Sequence, residues 1–381
     1  MLYLDNSATT IPYEEVIDVY GQVSRKFFGN PSSLHAMGTE SERLLQTARD
    51  QIIEILQIQD YNVFFTSGGT EGNNLAIKGL AFSRMKKGKH IISTAIEHPS
   101  VMEPLEQLRD DFGFDVTFLP VNHEGRISVS ELENAMRDDT ILVSIMHVNN
   151  ETGAIQPIEA VGKVIKGYPN VCFHVDYVQG VSKVPLSFDK ANIDLSTVSG
   201  HKFHGLKGTG ALLVKKGVKL YPLLSGGGQE EGLRSGTQNV AGAVSLAKAL
   251  RLSFQNFAGN DQTMKEAKGL FLKELSAIPG VELNTPLEKS APHIINFSVP
   301  GVKAEVLLHM LESKNVYVST TSACSSSLHK PSRVLLAMGK TEKEASGSIR
   351  ISMSFGQTKE MVPEVITTLK EAIGHLRELT R

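Results

Sequence analysis

Apolar positions along this chain fall into two rhythms. In the first, short apolar runs recur: Val63 to Phe65, Ile91-Ile92, Val116 to Val121, Ile141 to Val148, Val171 to Val175, Leu195 to Val198 and Ala211 to Val214. Helical stretches separate them, and that alternation predicts a mainly parallel sheet covered by helices on both faces. The second rhythm is helical. Leu44, Leu45, Ala48, Ile52, Ile55 and Leu56 recur at three- and four-residue steps, as do Val362, Val365, Ile366, Leu369, Ile373 and Leu376 near the C-terminus. Ahead of both, Asp5 to Pro12 is small, polar and stopped by proline, which predicts an extended arm followed by a helix from about Tyr13. Phe28 to His35 carries turn residues throughout and reads as a loop.

Polar residues collect just past the apolar runs, where open α/β sheets place their ligands. After Val63-Phe64-Phe65 comes Thr66-Ser67-Gly68-Gly69-Thr70-Glu71-Gly72, a strand running into small residues that open a helix. Free backbone N–H groups and the Thr70 hydroxyl can converge there on a phosphate, or the turn can serve without a ligand. The lysine of a Walker loop and the spacing of a dinucleotide fingerprint are both missing. Further runs end in Glu97-His98-Pro99-Ser100, Asn149-Asn150-Glu151, and Asp176 with Gln179 three residues on. A lone histidine or aspartate at such a place is often only a helix cap. Gathered at one sheet edge, they describe a site.

The densest stretch is Ser199-Gly200-His201-Lys202-Phe203-His204-Gly205, which sets one lysine among two imidazoles, a hydroxyl and glycines. An ammonium buried beside other cations loses hydration and gives up its proton more readily, and a free amine can form a Schiff base with an aldehyde. Pyridoxal phosphate is the aldehyde such a lysine suggests. Asp176 at a strand end can keep a pyridine nitrogen protonated, and the imidazole of His98 can stack on the ring.

Composition narrows the function classes. At 381 residues with 41% hydrophobic content, the chain is long enough for about two domains with buried cores. Lysine and arginine number 39 against 41 acidic residues, so the net charge of −2 offers no overall field for nucleic acid or an anionic membrane. The first residues lack a basic segment followed by an apolar core, and no stretch approaches the ~18 apolar residues of a membrane span, so a cytoplasmic protein is expected. The two cysteines, Cys172 and Cys324, form neither a disulfide framework nor a metal-binding spacing.

These motifs carry a resemblance. From Tyr3-Leu4-Asp5 through Gly226-Gly227-Gly228-Gln229-Glu230 and Arg234-Ser235-Gly236-Thr237 to Ile349-Arg350, the chain resembles the NifS-like cysteine desulfurases, in the aminotransferase-type, fold type I group of pyridoxal phosphate enzymes. The resemblance implies a large α/β domain with a mainly parallel seven-stranded sheet (15–256) and a small α+β domain (257–381) joined by the N-terminal arm (1–14). It makes Lys202 the Schiff-base lysine, Asp176 the partner of the pyridine nitrogen, Gln179 the partner of the ring oxygen, and His98 the stacking, proton-handling imidazole. Gly69, Thr70, Ser199 and His201 would hold the phosphate, with Gly200 also at the cofactor. Thr237 would reach the phosphate of the neighbouring subunit of a homodimer. Asn149 and Arg350 would face the ring oxygen and the substrate carboxylate, for which a bidentate guanidinium is suited.

The run Ser319-Thr320-Thr321-Ser322-Ala323-Cys324-Ser325-Ser326-Ser327 is too small and hydroxylated to pack, and it reads as a mobile exposed loop carrying one thiol. Cys324 matches the nucleophile of the resembled family, which would take sulfur from L-cysteine, leave L-alanine, and pass its persulfide to an acceptor protein for Fe-S cluster assembly or tRNA thiolation. Cys172, inside Val171-Cys172-Phe173, reads as an inert core residue. Tyr177 and Ser322 stand where the family usually has alanine and glycine, so ring packing and loop stiffness are expected to differ. Two alternatives use the same chain differently: a transaminase or lyase without a persulfide, and a non-catalytic sulfur carrier.

Overall fold

The computed structural model describes residues 1–320 and 331–379. The arm opens with a two-residue strand, β1 (Leu2–Tyr3). All the apolar runs named above then become strands of one seven-stranded sheet: β2 (Tyr61–Thr66), β3 (His90–Thr94), β4 (Asp115–Leu119), β5 (Thr140–Met146), β6 (Cys172–Asp176), β7 (Leu195–Ser199) and β8 (Gly210–Lys215). The spatial order is β2-β8-β7-β6-β5-β3-β4. All run the same way except β8, which is antiparallel to both β2 and β7. The sheet is therefore mixed, though mainly parallel as expected.

Both faces of this sheet are covered. Strand residues of odd and even position separate cleanly, because successive side chains point to opposite faces. Phe64, Ile91, Leu142, Cys172 and Leu212 pack under α3 (Gly69–Arg84) and α4 (Pro99–Phe112) through Leu75, Leu80, Val101 and Leu105. Their neighbours Val63, Ile92, Val143, Phe173 and Leu213 face α1 (Glu14–Lys26), α2 (Ala36–Leu56) and the first turns of the helix Val240–Ser276. Burial on both sides leaves every position of β5, β6 and β7 buried, and their polar side chains are paired inside the sheet: Ser144 with His174, His174 with Thr197, and Ser196 with Val175 O.

A second core lies at the far end of that long helix. Val240 to Leu250 belong to the first core, whereas Met264, Ala267, Phe271 and Leu275 join Ile295, Phe297, Ile349 and Ile351 in the second. Its antiparallel sheet has the order β12-β13-β10-β9, built from β9 (Glu282–Leu283), β10 (Ile294–Ser298), β12 (Ser319–Thr320) and β13 (Ser348–Ser352). The expected loop from Ser319 onward therefore begins as strand: Ser319 and Thr320 are buried and pair with Arg350 and Ile349. The C-terminal amphipathic run is the helix Val362–Leu379.

The arm ties the two cores together. β1 runs parallel to β11 (Val316–Tyr317), Leu4 is fully buried in the second core, and Asp5 bridges to Ser352. A few residues later Thr10 donates its N–H to His201 O at 2.8 Å, in the first core's territory.

Candidate active site

Five strands that point the same way deliver their C-terminal ends to one edge: β2 ends before Ser67 to Thr70, β3 before Glu97 and His98, β5 before Asn149, β6 at Asp176 and β7 at Ser199, just before Lys202. Most of the residues singled out from the sequence are thus neighbours in space.

The glycine turn after β2 is built to receive an anion. Gly68 has φ +150, a conformation that side-chain-bearing residues rarely adopt, and it leads directly into the N-terminus of α3. A Cβ on Gly72 would lie 2.6 Å from Thr197 Cγ2, so glycine lets the first turn of α3 settle on β7. Gly69 faces Ser199, whose hydroxyl is buried and makes no hydrogen bond to any described group. A helix N-terminus, with its unpaired N–H groups and dipole, beside an unused hydroxyl fits a phosphate. Thr70 is exposed at the same turn. His201 donates to or accepts from Thr9 Oγ1 at 3.3 Å through Nδ1, and burial, reinforced by Lys202, Lys207 and Lys183, pushes its pKa down to about 4.

Across the site lies a buried polar chain. Asp176 accepts Val178 N–H on Oδ1 at 3.0 Å and the Asn73 amide on Oδ2 at 2.8 Å. Asn73 Nδ2 also donates to Ser100 Oγ at 2.9 Å, and Ser100 Oγ lies 2.8 Å from His98 Nδ1. His98 caps α4 by accepting Ser100 N–H at 3.1 Å. Burial holds its pKa below the usual imidazole range; Asp176 opposes that shift, while Lys202 and Arg333 add to it. The neighbouring Glu97 is fully buried, accepts from Thr94 Oγ1 and Met146 N–H, and is pushed up to about 8 by desolvation.

Lys202 is held from the other side. Its ammonium donates to Ser7 O at 2.5 Å and Ala8 O at 2.9 Å, both main-chain groups of the arm. Gln179 donates to the same Ser7 O at 3.0 Å. Lys183 donates to Lys202 O at 2.6 Å, and burial followed by repulsion from Lys202 lowers its pKa to about 7. Gly200 packs so closely that a Cβ would lie 2.3 Å from Thr209 Oγ1. Arg350, on β13, is 4% exposed; it pairs with Asp5 Oδ1 at 2.9 Å, donates to Asn150 O at 2.9 Å, and keeps a buried Nε with no described acceptor.

Other expected residues are placed differently. Asn149 is fully buried and employed in its own turn: Oδ1 accepts from Glu151 N, Thr152 N and Thr152 Oγ1, while Nδ2 donates to Ile96 O and towards Met146 Sδ. Thr237 is exposed on the segment that Arg234 anchors to Glu71. Tyr177 turns into the core, packs on Phe188 and His147, and donates its hydroxyl to Val184 O at 3.1 Å. His204 is structural: it stacks on Tyr13 and bonds Ile11 O and Ser354 Oγ. Cys172 is buried, and desolvation pushes its thiol up to about 12, as suits an inert core residue. Cys324 and Ser322 lie outside the described residues. Sequence reasoning gave no role to Asn73 and Lys183, nor to Ser100 and Asp5, although the last two stand within the motifs it named. Asn73 lies on α3 just past the glycine turn, and its partners Asp176 and Ser100 lie on other elements.

A lysine, a carboxylate and a phosphate-suited helix N-terminus at the C-terminal edge of a mainly parallel sheet define a fold type I pyridoxal phosphate enzyme, and the residues present suit that cofactor. Residues 2–365 match the family "Aminotransferase class-V". The chain is 42% identical to a NifS/IcsS protein homolog of Lactobacillus delbrueckii subsp. bulgaricus, over 100% of this chain and 99% of the relative. It is 42% identical to a cysteine desulfurase IscS of Dictyoglomus turgidum, over 100% and 96%. A solved NifS-like protein superposes with a TM-score of 0.91 at 37% identity, covering 98% of this chain and 100% of that one. The chain belongs to the class-V aminotransferases and, within them, to the NifS-like cysteine desulfurases.

Proposed function

We propose that the protein is a cysteine desulfurase: it takes L-cysteine, releases L-alanine, and carries the sulfur as a persulfide on Cys324 for transfer to an acceptor protein. The observation that carries this reading is the convergence of Lys202, Asp176, His98 and the unused Ser199 hydroxyl at one strand edge. Bound there, pyridoxal phosphate supplies an electron sink for the α-carbon of the substrate.

The chain's own groups have separable tasks. The N-terminus of α3, with Gly69, Thr70, Ser199 and His201, holds the phosphate. Asp176 keeps the ring nitrogen protonated, Gln179 and Asn149 address the ring oxygen, and His98 stacks on the ring. The Asn149 hydrogen aimed at Met146 Sδ faces only a weak thioether acceptor, so a better acceptor can take it. Arg350 binds the substrate carboxylate while Asp5 keeps the guanidinium oriented and charge-balanced. Lys202 Nζ, already drawn forward by two carbonyls, moves protons at the α-carbon. Cys324 attacks the substrate sulfur; a thiol of pKa roughly 8.5 supplies some thiolate at neutral pH.

Finer features belong to the same reading. The division into an arm (1–14), a large domain (15–256) and a small domain (257–381) is supported by the separate cores at the two ends of the helix Val240–Ser276. A homodimer is supported by the exposed apolar residues Ile11, Phe28 and Leu34, and by Thr237, which is exposed where a partner's phosphate could meet it; a cytoplasmic location is part of the same reading. No helix among the described residues is long and apolar enough to cross a membrane. The acceptor serves Fe-S cluster assembly or tRNA thiolation.

The test is chemical. The purified protein, given L-cysteine and a thiol reductant, should release alanine in step with sulfide, and mass spectrometry should find one extra sulfur on the Cys324 peptide. Pyruvate in place of alanine would overturn the reading.

A further inference from the structure

Hydrogens can be assigned along the chain Asp176, Asn73, Ser100, His98, starting from the main-chain donor at Ser100. Ser100 N–H can only donate, so His98 Nδ1, 3.1 Å away, presents a lone pair. Ser100 Oγ, 2.8 Å from the same nitrogen, must then donate to it and accept from Asn73 Nδ2 at 2.9 Å. The second amide hydrogen of Asn73 goes to Asp176 Oδ2 at 2.8 Å. Flipping the amide would set its oxygen against the carboxylate. Asn73, Asp176 and Ser100 are 1%, 6% and 8% exposed, so water does not loosen the links among these three, while His98 at the end of the chain is half-buried.

We propose that Asn73 and Ser100 are positioning residues that fix His98 as a neutral imidazole with its hydrogen on Nε2, and that they link this state to the charge of Asp176. The inference rests on the reading of Asp176 and His98 as cofactor contacts. Its consequence is specific: His98 offers a donor at Nε2, not a base. A further proton would have to enter at Nδ1 and break the cap on α4, so proton abstraction at the α-carbon falls to Lys202. The surrounding charges are Asp176, which favours imidazolium, and Lys202 and Arg333, which oppose it; Glu97 turns its carboxyl away to Thr94 and Met146.

The experiment uses full-length protein loaded with pyridoxal phosphate and labelled with 15N-histidine, whose two-bond nitrogen–proton correlations report which ring nitrogen of His98 carries the hydrogen. In the wild type this is Nε2 throughout neutral pH. Ser100→Ala removes one donor to the neutral ring, so the His98 midpoint should rise by about one pH unit. Asn73→Leu should raise it less, and should also move the pH dependence of the cofactor's absorbance, because Asp176 loses a donor. A hydrogen on Nδ1 in the wild type, or unchanged titration in both folded variants, would overturn the proposal. Should Asn73→Leu not fold, Ser100→Ala decides alone, since it deletes a single oxygen. The tautomer is read without turnover, so absent alanine formation would count against the desulfurase reading while leaving this one standing.

Discussion

The two flanks of the site are built in opposite ways. On the Asp176 side every group comes from the end of a strand or the start of the helix after it, and buried side chains hold one another. On the Lys202 side the partners are main-chain carbonyls of the arm, 195 and 194 residues away in sequence, and Arg350 is oriented by Asp5 across a separation of 345. The first flank is set once the large sheet forms. The second exists only when the arm has docked on both cores, so it couples the integrity of the N-terminus to chemistry.

Four outcomes break or sharpen that contrast, in falling order of effect. Lys202→Ala should lower turnover by at least about 10³-fold, because it removes the amine that carries protons, and should abolish the borohydride-fixed cofactor linkage. Peptide mapping of the reduced wild type should find that linkage on Lys202; finding it on Lys183 would redraw the site. Asp176→Ala should keep the linkage but lose on the order of 10²-fold in turnover, since one preorganised electrostatic contact to the ring is gone. Its unfolding midpoint should change little, and a large loss there would show that the strand-end flank is not self-supporting.

Leu4→Ala probes the other flank. Leu4 is fully buried in the second core, and truncation should destabilise by about 3 kcal/mol, read as the urea midpoint. The same variant should lose cofactor affinity, because the carbonyls that hold Lys202 sit three and four residues beyond it. Unaltered affinity would uncouple the arm from the site.

The smallest effect concerns pH. Burial holds His204 at about 4 and His201 at about 4, against ~6.5 in the unfolded chain. The unfolded state then binds more protons between those values, so this contribution is complete above ~6.5 and is lost as pH falls towards 4. His204→Asn tolerates the positive φ of 61 and should flatten the fall of the urea midpoint between neutral and acidic pH. An unchanged slope would remove His204 from the acid response.

The same contrast explains what could be read from the residues alone. The strands were legible because they are short and, buried on both faces, mostly apolar, interrupted by internally paired residues such as Ser144, His174 and Thr197, and the polar residues just beyond them marked the edge where Lys202, Asp176 and His98 meet. The reversal of β8 was not, since an apolar run looks the same in either direction. Ser7 O and Ala8 O could not be foreseen as partners of Lys202, because every residue has a carbonyl and only docking selects these two. Asn73 follows the glycine turn on α3, and its amide gains meaning only from Asp176 and Ser100 on other elements. At Tyr177 the residue type alone left two outcomes, a phenol crowding the ring or one reaching a polar partner, and the hydroxyl takes the second at Val184 O in the core.

Transfer of sulfur to a thiol distinguishes this scaffold from a lyase, and Cys324→Ala isolates that step. Cofactor loading and the absorbance change on adding L-cysteine should persist, because those steps use Lys202, Asp176 and Arg350. Alanine per cofactor should fall to almost nothing, with no persulfide on any peptide, while Cys172→Ala, which alters only a buried core position, should retain turnover. Alanine formed by Cys324→Ala at the wild-type rate would contradict the account and leave a thiol-independent lyase.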